Sequence, residues 1–266
     1  MTTISLTYWD LALASLLLWL NGALSLWLGL ALERRMLIAG ARMVVQLLLI
    51  GLVLRALFAL ASPLLTGLAV LVMICVAAGE VYARQDRKLA GAWGYAVGAV
   101  PTMAATVAVT LAALLVELGP NPWHDPRYTI PLAGIVLGSV MTGVSLGLSG
   151  LLAGAARERA AIEAQLTLGA PRFIALRPFL RQALRNAWIP LINQMSAAGL
   201  VTLPGMMTGQ IIAGMDPLEA VKYQILIMFL LAGGTGIGAL GAVYGAAWRL
   251  TDERHRLRLD RLAAKK

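Results

Sequence analysis

Charged side chains are scarce in this chain of 266 residues: Asp, Glu, Lys and Arg make up 13%. A soluble globular domain carries about 25%. The shortage is concentrated in seven stretches with no charge at all: 11–32, 43–54, 56–79, 89–116, 128–156, 186–215 and 223–248. All but 43–54 reach the roughly 20 residues that a helix needs to cross a bilayer. This excludes a soluble enzyme and a disordered chain. Continuous rather than alternating apolarity also excludes a membrane β-barrel. Cysteine is limited to Cys75, so no intrachain disulfide can form, and its place inside an apolar run reads as packing. None of the four lysines follows a glycine, which rules out a Gly-x-x-x-x-Gly-Lys phosphate loop. The last apolar run holds no lysine, and Lys222 lies only at its edge, so a retinal Schiff base has no anchor. Histidine is limited to His124 and His255. His124 and Asp125 fall in a Pro-rich loop read as solvated rather than metal-binding. No His-x-x-x-His pair or acidic cluster lies in a span, which excludes an intramembrane metalloprotease.

What is present is a set of long apolar helices. Spans are expected near residues 8–32, 37–60, 63–82, 90–116, 129–155, 188–214 and 218–248. The first is expected to be an anchor and not a signal peptide, because Met1–Asp10 has no basic residue and the apolar run is too long. Arg42 and Arg55 lie about a turn inside the ends of the second span, where long side chains snorkel. Nineteen of the 22 Lys and Arg residues fall on one alternating set of connections and the C-terminal tail; Arg55, Arg127 and Lys222 fall on the other. Basic loops stay in the cytoplasm. The expected fold class is therefore all-α: a polytopic integral membrane bundle of seven transmembrane helices, N-terminus outside and C-terminus cytoplasmic. Residues 1–266 form one membrane domain, because the polar interval 157–185 is too short to fold alone. The net charge of +9 belongs to the cytoplasmic face, and no basic module exists to bind nucleic acid. The spans are nearly acid-free; Glu80, the nearest case, reads as an interfacial carboxylate beside Arg84. A carrier with no proton or sodium relay needs another energy source. ATP hydrolysed on a separate subunit would meet that need.

Residues 157–187 are the most informative polar stretch. A helix continues inward from the fifth span to Leu168, where Gly169 suits the left-handed position past a helix end. Pro171 and Pro178 suit the first turns of new helices. The pattern predicts a helix, a sharp turn at Gly169-Ala170-Pro171, a short helix, and a helix from Pro178 into the sixth span. Arg177, Arg181 and Arg185 make a basic stripe beside Leu176, Leu180, Leu184 and Trp188. Such an element either lies on anionic lipid or docks on a partner.

The sixth span contains Leu203-Pro204-Gly205-Met206-Met207-Thr208-Gly209-Gln210. Proline removes a backbone donor and glycine permits a bend, so a break is expected past the midplane. Broken helices at that depth bind cargo in transporters, although a simple kink is the plainer alternative. Asp216, Pro217 and Glu219 read as a helix cap with a returning carboxylate. Small residues recur every four positions at Gly94/Gly98, Gly134/Gly138, Gly143/Gly147, Gly205/Gly209 and Gly234/Gly238. They permit close packing within the chain or at a dimer face. Methionines gather around the sixth and seventh spans; thioethers either pack or touch soft metals.

The run from Gly199 to Ile225 resembles the signature of the FetB-like family, also called uncharacterised protein family 14. The resemblance extends to Ala41-Arg42 and Gln46, to Ile130-Pro131 with Gly134, and to Leu168-Gly169-Ala170. The sequence Glu163-Ala164-Gln165-Leu166-Thr167-Leu168-Gly169 also resembles the Glu-Ala-Ala-x-x-x-Gly loop of ABC-transporter permeases, departing from it at Gln165. These resemblances imply a membrane permease of an ABC transporter in the inner (plasma) membrane. It would export a metal ion such as iron and be powered by a separate cytoplasmic ATPase. The chain itself would be no enzyme and would bind no cofactor; ATP would sit on the partner, and two permease copies would assemble. Glu163, Gly169, Ala170, Pro171, Arg172 and Arg177 would couple to the ATPase. Pro204, Gly205, Asn193 and Gln194 would line the path, with Met206, Met207 and Gln210 as candidate metal contacts. Asn193 and Gln194 serve equally well as bonds between helices. Residues 249–266 would form a basic cytoplasmic tail. The alternatives are a secondary carrier or channel for a metal or small solute, sugar-nucleotide ABC transport, or a regulatory membrane subunit.

Overall fold

A computed structural model describes residues 7–60, 62–117 and 125–263. His124 and the last two lysines lie outside the described residues. Helices account for all the long regular elements described: α1 Tyr8–Trp27, α2 Glu33–Leu60, α3 Pro63–Ala83, α4 Ala92–Glu117, α5 Pro126–Arg157, α6 Arg159–Thr167, α7 Arg172–Ala175, α8 Arg177–Ala197, α9 Gly205–Ile212 and α10 Pro217–Arg249. Six of them, α1–α5 and α10, are long and apolar enough to cross a membrane. The chain is therefore an all-helical membrane protein.

The helices group into two compact units, α1–α2 and the remainder. In the first, Thr7 and Asp10 close a capping box at the start of α1. Gly29, at φ +64, ends it: the Gly29 N–H donates to Leu26 O and the Leu30 N–H to Ser25 O. This stop falls before residue 32, so α2 begins at Glu33 rather than 37. Ser25 ties the turn, donating to Glu33 Oε2 at 3.0 Å and accepting from the Leu32 N–H at 3.0 Å. The Leu18 side chain packs where a Cβ on Gly40 would stand.

In the second unit α5 is central, packing against α3, α4, α8 and α10. Its buried positions Val136, Val140, Val144, Leu148 and Leu151/Leu152 follow the 3.6-residue period. In a bilayer, lipid tails are as apolar as leucine, so close packing holds helices together. Glycine supplies it. A Cβ on Gly143 would stand 2.5 Å from Thr235 Cγ2, and one on Gly147 2.9 Å from Val243 Cγ2. A Cβ on Gly98 would meet Val81 at 2.7 Å, and one on Gly238 would meet Val140 at 2.7 Å. These four glycines pack within the chain. Gly205 and Gly209 have open space around them.

Three expectations change in detail. The helix expected to run unbroken from α5 to Leu168 stops at Arg157, because Glu158 leaves helical geometry (φ −102, ψ 31), and restarts as α6. Glu219 does not return to the cap. Asp216 Oδ1 accepts from the N–H groups of Leu218 and Glu219, while the Glu219 carboxylate takes Lys222 at 2.6 Å. Cys75 is exposed rather than packed inside. Glu80 does lie beside Arg84, at 3.8 Å.

Candidate functional site

The polar loop folds as helix, turn, short helix, helix. Gly169 stands at φ +87, the Gly169 N–H donates to Leu166 O, and the Ala170 N–H donates to Gln165 O. Those two bonds are the paired reversals of a Schellman ending, and only glycine takes the conformation without strain. The turn leaves Leu168 almost fully exposed at its tip. Pro171 is not yet helical: at ψ 147 it caps α7, and Arg172 is the first helical residue. Within α7, Phe173 and Ile174 face outward, whereas Ala175 is buried together with the following Leu176. Glu163 is held by Arg159 at 2.8 Å on the surface of α6. Arg177 opens α8, exposed, with Pro178 in the first turn.

The C-terminal tail holds α7 in place. The Arg172 N–H donates to His255 Nδ1 at 3.2 Å, and the Arg172 guanidinium reaches Asp252 O at 3.4 Å. The tail is pinned in turn to the α3–α4 loop, where the Ala90 N–H donates to Arg261 O and the Ala263 N–H to Lys88 O, both at 2.7 Å. Two of its carboxylates, Asp252 and Asp260, are held low. Bonding to Arg258 takes the Asp260 carboxyl down to about 2, and the Arg256 N–H lowers Asp252.

The sixth apolar run is broken earlier and more widely than Pro204-Gly205 implies. Helix α8 stops at Ala197, Gly199 turns at φ +84, and α9 begins only at Gly205. The loop bonds to itself: the Gly199 N–H donates to Thr202 O, and the N–H groups of Val201 and Thr202 both donate to Ala197 O. Pro204 is the extended cap of α9, and Gly205 is ordinary helix. The bend needs the left-handed freedom of Gly199, which the proline-centred reading missed. Helix α9 packs on α10 and ends in a second Schellman turn, with Gly214 at φ +96. Met206 and Met207 are part-exposed on α9, and the Oε1 of Gln210 is buried without a hydrogen-bond partner.

A groove of about 340 Å³ opens where α5, α8 and α10 meet. Its polar lining comes from Ser139, Thr142, Gln194 and Thr235, beside Gly138 and Pro190. Ser139 and Thr235 share a hydrogen bond at 3.1 Å, and Thr142 Oγ1 donates to Gly138 O at 2.9 Å. The donors are neutral oxygens and one amide. Of the candidate path residues, only Gln194 lines this groove. Asn193, Pro204, Gly205, Met206, Met207 and Gln210 are not among its lining residues. No group of three or more His, Cys, Asp or Glu residues capable of holding a metal is found among the described residues.

Residues 8–250 match the Uncharacterised protein family (UPF0014). The chain belongs to this family. A UPF0014 membrane protein of Synechocystis sp. is 39% identical over 210 residues, covering 79% of this chain and 80% of its own. The "Probable iron export permease protein FetB" of Escherichia coli is 33% identical over 236 residues, 89% of both chains. Protein ALUMINUM SENSITIVE 3 of Arabidopsis thaliana is 31% identical over 216 residues, 81% of this chain and 77% of its own. No solved structure matches.

Within this UPF0014 chain, Ser139, Thr142, Thr235 and Gly199 are the residues that sequence reading passed over. The signal was available for three of them. Ser139 and Thr142 lie on α5 between Gly138 and Gly143, which belong to the Gly134/Gly138 and Gly143/Gly147 repeats, and Thr235 adjoins Gly234. Glycine repeats were read as packing alone, so the hydroxyls beside them drew no attention.

Proposed function

We propose that this chain is the membrane-spanning permease subunit of an ABC transporter. In this reading it exports a metal cation such as iron across the inner (plasma) membrane, and a separate cytoplasmic ATPase supplies the energy. The observation that carries the reading is 33% identity over 89% of both chains with a protein named as an iron export permease. The α6–α7–α8 loop supports it. A short helix with exposed Phe173 and Ile174, set by a Gly169 turn and flanked by Arg172 and Arg177, suits a projection that fits a groove on an engine subunit. Glu163, Ala170 and Pro171 fix the geometry of that projection. The permease binds no cofactor; ATP sits on the partner, and two copies of each subunit assemble because an ABC engine uses two nucleotide sites.

Residues 1–266 work as one permease domain with seven crossings, N-terminus outside and C-terminus cytoplasmic. The basic end of α5 and the basic tail after α10 share a face only if the chain crosses once between the end of α5 and the start of α10, since α10 itself crosses back. That crossing is the broken one, α8 with α9. The cargo passes along the groove and the break. Neutral oxygens of Ser139, Thr142, Thr235 and Gln194 replace part of a cation's hydration shell without trapping it. Asn193 and the Pro204-Gly205 loop extend the path, and Met206, Met207 and Gln210 offer sulfur and oxygen contacts. Iron(II) is intermediate in softness, so mixed, weak ligands suit a path better than a storage site.

The test is ATPase activity of the permease–ATPase complex in proteoliposomes. Ferrous iron is expected to stimulate turnover and to leave the cytoplasmic side. Stimulation by sugar nucleotides and not by metals would replace the cargo, and transport that persists without the ATPase would replace the transporter class.

A further inference from the structure

The last helix leaves its apolar run at a cleft lined by unpaired arginines. Residues 223–248 carry no charge, and Arg249 is the first charge after them. Around it a cleft of about 330 Å³ is lined by Arg172, Arg249, Arg254 and Arg261, none of which has a carboxylate within ion-pair distance among the described residues. Arg256 and the acid Asp252 also line it, but they neutralise each other at 2.9 Å. Glu253 is the only other acid in the lining. The Arg249 Nε is buried with no hydrogen-bond partner. Arg261 is held by backbone carbonyls, donating to Arg249 O at 2.8 Å and Thr251 O at 3.3 Å. Such bonds position a guanidinium without neutralising it.

We infer that this cleft is a binding site for the phosphate headgroup of an anionic phospholipid. Five guanidiniums against the carboxylates of Asp252 and Glu253 leave an excess of positive charge in one concavity that calls for an anion, and planar guanidinium forks match phosphate oxygens. The depth of the site selects the source. Trp248 lines the cleft and its ring lies 5.7 Å from that of Trp93, and both are exposed. The Arg249 guanidinium lies 5.2 Å from the centre of the Trp93 ring. Exposed indoles at the end of a spanning helix belong at the headgroup level, and basic pockets at that level hold lipid phosphates. A soluble phosphate or a docked protein would approach from water, where the indoles gain nothing. Arg172 is the first residue of α7, so the lipid bridges the end of the last span and the short helix of the loop.

The test is native mass spectrometry of the full-length chain in detergent, titrated with phosphatidylglycerol, with phosphatidylcholine as the neutral arm. One phosphatidylglycerol is expected to remain bound at least about tenfold more tightly than phosphatidylcholine. Arg249→Gln with Arg254→Gln is expected to weaken it by about tenfold or more, each arginine contributing a several-fold factor. Arg157→Gln with Arg159→Gln removes the same charge away from the cleft and is expected to change nothing. Equal loss in both pairs, or no loss in the first, overturns the site. If inorganic phosphate at about 10 mM, the range of a weak anion site, displaces the lipid in wild type but not a lipid bound elsewhere, the ligand is free phosphate and the lipid assignment falls. Loss of ATPase binding with lipid retention unchanged would reassign the cleft to the partner protein. If the double variant is not monodisperse, Arg254→Gln alone carries the test, because Arg254 is exposed.

Discussion

Single residues decide the geometry of the loop. Gly169 has nothing within 4 Å of a built Cβ, so a side chain there meets no clash. The cost of Gly169→Val is confined to its φ of +87, about 1–2 kcal/mol for an L-residue held left-handed. That is too little to unfold the bundle and enough to reorient a four-residue helix. The expected outcome is a monodisperse permease whose ATPase loses cargo stimulation, measured as the ratio of stimulated to basal turnover. Wild-type stimulation in that variant would detach α7 from coupling. The exposed tip at Leu168 and the buried Ala175 and Leu176 also show what sequence can and cannot give here. A glycine followed two residues later by proline marks a turn from local chemistry alone. The His255 and Asp252 contacts that hold α7 lie about 80 positions away in the chain, and no local pattern announces them.

At the scale of the element, the break between α8 and α9 carries the cargo hypothesis. Met206→Leu with Met207→Leu keeps volume and apolarity while deleting sulfur, so stability is expected to change by less than about 1.5 kcal/mol. If sulfur touches the cargo, metal-stimulated ATPase and efflux fall while basal turnover stays. Unchanged efflux would leave the two methionines as packing. Pro204→Ala is not expected to straighten the span, because Gly199 turns the chain five residues earlier and Pro204 only caps α9. The sequence exposed a break because proline removes a backbone donor and glycine permits a bend. It misplaced the start because a left-handed glycine looks like any other glycine until its φ is known.

The whole molecule raises the question of sidedness, which rests on the distribution of its 22 basic residues. In a Cys75→Ala background, Leu218→Cys is expected to react with an impermeant maleimide added outside right-side-out vesicles. Arg159→Cys and Glu253→Cys are expected to react only after permeabilisation. Outside labelling of the last two would invert the orientation and remove α7 from the ATPase side. All three positions are exposed, so the readout reports the bilayer and not burial.

Long uncharged runs determined that this chain is a bundle of membrane helices, because hydrocarbon accepts only backbone that is hydrogen-bonded within itself. Local chemistry likewise determined the turn at Gly169 and the cap at Asp216, whose bonds span only a few residues. Only the tertiary structure decided which glycines are contact points, which hydroxyls share the α5–α8–α10 groove, and that unpaired arginines from α7, α10 and the tail meet in one cleft. Those features join residues up to about 100 positions apart, as Ser139 and Thr235 do. In a chain where nearly every helix face is apolar, hydrophobic pattern cannot say which face meets a neighbour and which meets lipid; the fit of side chains against glycine decides it.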